Sequence, residues 1–177
     1  PAEYSRPLSQ QQWAEQLTQA LNNGKVKLHD FAVCDHLGNL IHKEAVLRVQ
    51  LMPQGVWEPA AKFWPMVERL HLSVGFDLVG VRLALQQLEA QPDLPGLAVN
   101  LSGHSIAQPE FLGALVFLLQ QHAQAHRLWL EVSEDTAFAD FESMLSLSRK
   151  LKPLGCRLGI EHFGKSFHEI GRMQQLA

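Results

Sequence analysis

Gly96-Leu97-Ala98-Val99-Asn100 is a short apolar run that ends on a polar side chain. The pattern returns as Leu128-Trp129-Leu130-Glu131 and again as Arg157-Leu158-Gly159-Ile160-Glu161. Strands of a parallel sheet are covered on both faces and therefore read as near-continuous apolar runs rather than as strict alternation. Between these runs lie stretches with helical spacing of apolar residues, about Pro109 to His126 and Asp140 to Leu154, the second closed by Gly155 in the usual capping position. Strand, helix and strand recurring at intervals near ~30 residues predict βα units and a parallel sheet. The fold class is therefore α/β.

Working outward, Ser9 followed by Gln12 makes a capping box, and Trp13, Leu17, Ala20 and Leu21 recur at helical spacing until Asn22-Asn23-Gly24. An N-terminal helix is predicted there. From Lys25 to Cys34 and from Leu40 to Leu51 the spacing shifts toward alternation, with the turn residues Asp35-His36-Leu37-Gly38-Asn39 between them, which predicts an antiparallel hairpin. On its second strand Glu44, Val46 and Arg48 share one face, and Ala45, Leu47 and Val49 the other. Two helices follow, about Pro59 to Leu72 and Phe76 to Ala90, parted by the breaker Gly75 and closed by Gln91-Pro92-Asp93.

The chain has 177 residues, 46% of them hydrophobic, with 15 basic and 18 acidic side chains and a net charge of -3. This describes one domain over residues 1–177 and argues against a nucleic-acid binder, since no Lys/Arg stripe appears; no DNA partner is expected. Cys34 and Cys156 lie far apart within strand-like runs and read as buried thiols of a reducing compartment, the cytoplasm by default. No apolar run approaches the ~20 residues of a membrane span, and the start Pro1-Ala2-Glu3-Tyr4 lacks a signal-peptide pattern.

Asn100, Glu131 and Glu161 all fall at the carboxyl ends of their runs, where α/β folds place ligands because the βα loops converge there. Glu44 from the hairpin adds a fourth oxygen-bearing side chain. Each alone is as readily a helix cap or a solvated group; together they suit a hard cation such as Mg²⁺, often with phosphate completing its shell. Phe63, Trp64 and Met66 sit on an amphipathic helix and read as core rather than as a base-stacking shelf. Lys165 and His168 read as solvated loop residues, and Glu134 as structural, placed where a helix N-terminus favours a carboxylate.

From about Trp13 to Ala177 the chain resembles the EAL domain, the cyclic di-GMP phosphodiesterase module. Glu44-Ala45-Val46-Leu47-Arg48 resembles the signature Glu-Ala-Leu-Leu-Arg, and Val99-Asn100-Leu101-Ser102 followed by Pro109-Glu110-Phe111-Leu112 resembles the Val-Asn-Leu-Ser segment and its helix. Leu130-Glu131-Val132-Ser133-Glu134 is similar to the Glu-Ile-Thr-Glu strand, and Leu154 to Gly164 to Leu-Gly-…-Asp-Asp-Phe-Gly. The resemblance implies a TIM-like (β/α) barrel with an N-terminal helix and an antiparallel first hairpin, incomplete at the C-terminus, because a closed barrel takes ~200 residues or more. It implies metal ligands at Glu44, Asn100, Glu131 and Glu161, holding Mg²⁺ or Mn²⁺, and dinucleotide contacts at Leu47 and Arg48 with the guanidinium near a phosphate. A guanidinium fork suits that partner.

The departures bear on activity. The glutamine of the family's Gln-Pro-Ile-Val strand, a ligand-binding position, is here Asp30, and the Asp-Asp pair is Glu161-His162, which replaces one anionic oxygen by a nitrogen donor and puts His162 in doubt as a ligand. The loop usually written Gly-Thr-Gly-Tyr-Ser-Ser, which couples metal binding to dimerisation in the family, reads Gly164-Lys165-Ser166-Phe167-His168-Glu169. The run Phe163 to Gly171 and the start Trp13 to Leu17 most resemble LapD-type receptors. The resemblance therefore implies a catalytically impaired cyclic di-GMP receptor that works as a homodimer, in the company of GGDEF and membrane-linked regulatory domains of the same polypeptide. An active phosphodiesterase yielding the linear dinucleotide is the alternative, and a ligand-free assembly scaffold the third.

Overall fold

The computed structural model describes residues 8–165 and 170–176. Helix α1 (Gln10–Asn22) starts at the predicted capping box: the Gln12 N–H donates to Ser9 Oγ at 3.2 Å and the Ser9 N–H to Gln12 Oε1 at 2.9 Å. It stops where Gly24 enters the left-handed region at φ 63°. The hairpin follows as β1 (Val26–Cys34) and β2 (Leu40–Val49). Its turn is held by Asp35, whose Oδ1 accepts from the N–H groups of Leu37 and Asn39 at 2.8 and 2.9 Å. A two-residue strand β3 (Glu58–Pro59) pairs with the end of β2 and leads into α2 (Ala60–Arg69) and α3 (Ser73–Ala90).

The break between those two helices is not at Gly75. It falls at residues 70–72, where His71 takes a left-handed φ of 57°, and Gly75 lies inside α3. There a Cβ would come within 3.2 Å of the Leu21 side chain, so the missing side chain serves the approach of α1 to α3. Beyond α3 the βα units run as β4 (Leu97–Asn100), α4 (Gly103–Ile106), α5 (Pro109–Gln120), β5 (Leu128–Ser133), α6 (Glu134–Ala139), α7 (Phe141–Leu151), β6 (Arg157–Glu161) and α8 (Ile170–Met173). The long helix expected to His126 ends at Gln120 and is followed by a 3-10 segment over Ala123–Arg127.

The sheet order is β1-β2-β4-β5-β6, antiparallel between β1 and β2 and parallel thereafter. This is the α/β, TIM-like architecture expected, with an open sheet among the described residues. Ala45, Leu97, Val99, Leu128, Leu130 and Val132 turn one face toward α3, α5 and α7 and form the main core with Leu85, Phe111, Leu115 and Met144. The other face carries His42, stacked on Trp129 at 4.4 Å, and Arg157, whose guanidinium lies 4.7 Å over the same indole. A second core joins α1, α2 and α3 through Leu17, Val49, Phe63, Val67 and Phe76.

Cys156 is buried as expected. Its Sγ donates to the Ala125 carbonyl, and burial pushes the thiol up to about 11. Cys34 departs from the expectation: it is an exposed free thiol, because the register shifts at the end of β1 and the strand there leaves the core. Among the described residues no helix is long and apolar enough to cross a membrane.

Candidate functional site

Glu44 on β2, Glu131 on β5 and Glu161 at the end of β6 converge on the helix-free face of the sheet. One carboxylate oxygen of each lies within 4.8 Å of one from the others. The pleat and the register produce this meeting. Glu131 stands beside Gly159 on β6 and Asn100 on β4, and Glu161 beside Ser133 on β5. Gly159 has a steric part in it, because a Cβ there would sit 3.0 Å from Glu131 Cγ. Burial raises the Glu131 carboxyl above its ordinary range, and the charges of Glu44 and Glu161 raise it further. Among the described residues no lysine or arginine forms an ion pair with these three groups; the imidazole of His162 approaches Glu161 Oε2 at 3.6 Å.

Three half-buried carboxylates with, among the described residues, no lysine or arginine paired to them form an oxygen-only donor set that fits a hard divalent cation such as Mg²⁺ or Mn²⁺. Asn100 lines the same cleft. This cleft of about 290 Å³ opens at the carboxyl ends of the strands and is bordered by Leu47, Trp64, Asp77, Asn100, Ser133 and Glu161. Leu47 and Asn100 thus both line this cleft. Arg48 shares the Glu44 face by alternation. Its guanidinium makes a long 3.5 Å contact with the Leu47 carbonyl and, among the described residues, no ion pair.

Two expected site residues stand apart. Asp30 pairs across the hairpin with Ala45 and so shares the helix-facing side, away from Glu44. Its carboxylate is 3.0 Å from Lys43 Nζ and accepts from Gln87 Nε2 at 2.6 Å. Burial would raise this carboxyl, but those partners bring it below its usual value. His162 sits in a left-handed turn at φ 57° with its side chain 82% exposed, outside the carboxylate group.

Three residues of the site were not singled out as such by the sequence. Asp77 is 2% exposed; its Oδ2 accepts from the N–H and Oγ–H of Ser102 at 3.0 and 2.9 Å, tying α3 to the loop after β4. Burial pushes its carboxyl up to about 6, against the lowering effect of the serines. An acid inside the otherwise apolar stretch Phe76 to Val81 was the available signal. Trp64, expected in the core with Phe63, is half-buried and borders the cleft instead. Glu134, expected as structural, accepts at Oε2 from the backbone N–H groups of Gly164 and Lys165 and so anchors the loop after β6. Lys165 approaches Asp135 at 3.3 Å on the surface; Ser166, Phe167, His168 and Glu169 lie outside the described residues.

A TIM-like α/β sheet with three converging carboxylates at its carboxyl end defines the class of protein. The family follows from comparison: residues 14–177 match the model of the EAL domain, and the chain belongs to that family. The bifunctional diguanylate cyclase/cyclic di-GMP phosphodiesterase MucR of Pseudomonas aeruginosa is 28% identical over 173 residues, 94% of this chain and 25% of that protein. A solved complex of the PaMucR phosphodiesterase with cyclic di-GMP is 27% identical with a TM-score of 0.81, covering 93% of this chain and 68% of that one. The S helix-GGDEF-EAL structure of Vibrio cholerae LapD shares the fold, with a TM-score of 0.88 at 23% identity, over 99% of this chain and 43% of that one. The chain spans 16% to 25% of the length of the curated relatives it matches.

Proposed function

We propose that this domain binds cyclic di-GMP in the cleft at the carboxyl end of the sheet and acts as a receptor with impaired hydrolysis. Family membership and the likeness to MucR, solved with that dinucleotide, support the ligand. The observation that carries the impairment is the position of His162. Where the family resemblance expects a second aspartate, the chain offers an exposed imidazole that adds no oxygen to the Glu44, Glu131 and Glu161 group. A single hard cation held by those three glutamates and Asn100 fits the donors present. Bound there, Mg²⁺ or Mn²⁺ would neutralise phosphate charge and acidify a coordinated water.

This chain's own groups do the rest. Arg48 supplies for a phosphate a guanidinium that has no carboxylate partner among the described residues, Leu47 an apolar contact, and Glu134 anchors Gly164 and Lys165 after Glu161. In this reading the domain works as a homodimer, beside GGDEF and membrane-linked regulatory domains of the same polypeptide, on the cytoplasmic side. The test is to incubate the intact protein with cyclic di-GMP and Mg²⁺ or Mn²⁺ and to chromatograph the nucleotides. The dinucleotide is expected to stay cyclic, and steady release of the linear form would overturn the impairment. That second reading, an active phosphodiesterase, is favoured by the convergence of the three glutamates.

A further inference from the structure

Asp77 projects from α3 and gives one oxygen to the turn that leaves β4. Its Oδ2 accepts both the N–H and the hydroxyl of Ser102, at 3.0 and 2.9 Å. Ser102 in turn caps α4, where its Oγ accepts the Ser105 N–H at 3.2 Å. One residue earlier, the Leu101 N–H donates to the Glu131 carbonyl at 2.8 Å. The two residues after Asn100 are therefore pinned on both sides, Leu101 to β5 and Ser102 to α3. Gly103 continues the contact, because a Cβ there would lie 2.8 Å from Thr136 Cγ2 in the first turn of α6. That helix is capped by Ser133, the register neighbour of Glu161. The segment that carries Asn100 thus sits between α3 and the strands that carry Glu131 and Glu161.

Packing alone does not call for a carboxylate at this place. Asp77 is 2% exposed, and among the described residues its Oδ1 has no hydrogen-bond partner and no lysine or arginine forms an ion pair with it. Burial pushes the carboxyl up to about 6, and the Glu68 charge pushes the same way against Ser102 and Ser105. At neutral pH an ionised group is therefore held where a neutral acceptor would cost less. What the charge adds is grip, since a charge-assisted hydrogen bond is about twice as strong as a neutral one. Resting on the reading of Glu44, Glu131, Glu161 and Asn100 as a cation site, we propose that Asp77 is a positioning residue for that site. Through Ser102 it holds Asn100 where the amide oxygen completes the donor set of the three glutamates. It acts at one remove, and stability is given up for the placement of a neighbour.

The experiment titrates Mn²⁺ alone into the intact protein and into Asp77→Ala, Asn100→Ala, their double variant and Asp77→Asn. Affinity and the water-proton relaxation of the bound ion are followed, with urea unfolding at pH 7 alongside. Asp77→Ala is expected to weaken Mn²⁺ by about tenfold or more. It should also raise the relaxation of bound Mn²⁺ as Asn100→Ala does, because water takes the place of the amide oxygen. The double variant should bind about as Asn100→Ala does, since both changes remove one contribution. Asp77→Asn keeps an acceptor for Ser102 and should recover much of the affinity, while unfolding at a urea concentration no lower than the parent's. Ser102→Ala, which keeps the backbone donor, runs the same cycle from the other end of the contact with a loss of about threefold. Additive losses, an affinity that follows the unfolding midpoint with relaxation unchanged, or no loss in Asp77→Ala would overturn this inference while the cation site stands. Binding of no Mn²⁺ by the unaltered protein would overturn the cation reading, and the inference with it.

Discussion

Glu134 Oε2 accepts the backbone N–H of Gly164 at 2.9 Å, across 30 residues of chain. The same oxygen accepts the Lys165 N–H at 3.0 Å, and the side chain is 2% exposed. One carboxylate at the start of α6 thereby fixes the turn immediately after Glu161, and with it the last member of the acidic group. Removing it orphans two backbone donors. Glu134→Ala is expected to lower unfolding free energy by about 1–3 kcal/mol and to weaken Mn²⁺ binding. Urea unfolding and calorimetry read the two effects, and a stability loss with no change in Mn²⁺ affinity would separate the anchor from the site.

The acidic group itself makes a charge prediction. Glu131→Gln keeps size and removes one of three mutually repelling charges, so the variant should be at least as stable as the parent in the absence of cation and should bind Mn²⁺ more weakly by about tenfold or more. Denaturation with and without Mn²⁺ checks it: the cation should raise the unfolding midpoint of the parent much more than that of the variant.

Asp77 gives stability a pH dependence whose sign is fixed. Its folded-state carboxyl is raised from 3.8 to about 6, so between these values the native state binds more protons than the unfolded chain. Stability from this group is therefore full below the unfolded value and is lost as pH rises through about 6, by up to ~3 kcal/mol. Urea midpoints measured from pH 4 to pH 7 should fall more steeply in the parent than in Asp77→Asn.

His162→Asp restores an oxygen donor in a left-handed turn that aspartate tolerates. Mn²⁺ should bind more tightly, roughly threefold to tenfold, with no loss of stability. Unchanged Mn²⁺ titrations would show that the turn directs this position away from the cation whatever residue occupies it.

The carboxyl-end placement of Asn100, Glu131 and Glu161 was legible because buried parallel strands leave few polar residues, and these stand where the runs end. The hairpin strands and their turn were legible from period and from Asp35 to Asn39. Asp30 was not, because whether it shares a face with Glu44 depends on the hairpin register, which sets it opposite Ala45. Trp64 and Phe63 are neighbours on one helix, about 100° apart in direction, so one apolar run supplies both a core residue and a cleft wall. The helix break at His71 carries no glycine or proline signal. The short helices α4 and α6 follow the capping serines Ser102 and Ser133 but are too short to show periodicity.

A receptor holds cyclic di-GMP without consuming it. Isothermal titration of cyclic di-GMP, with Mg²⁺ present, into the intact protein tests it most directly. Heats are expected to saturate and return to baseline after every injection, and to be lost or strongly weakened in Arg48→Ala. Heat that persists after each injection, the signature of turnover, or no heat at all, would contradict it.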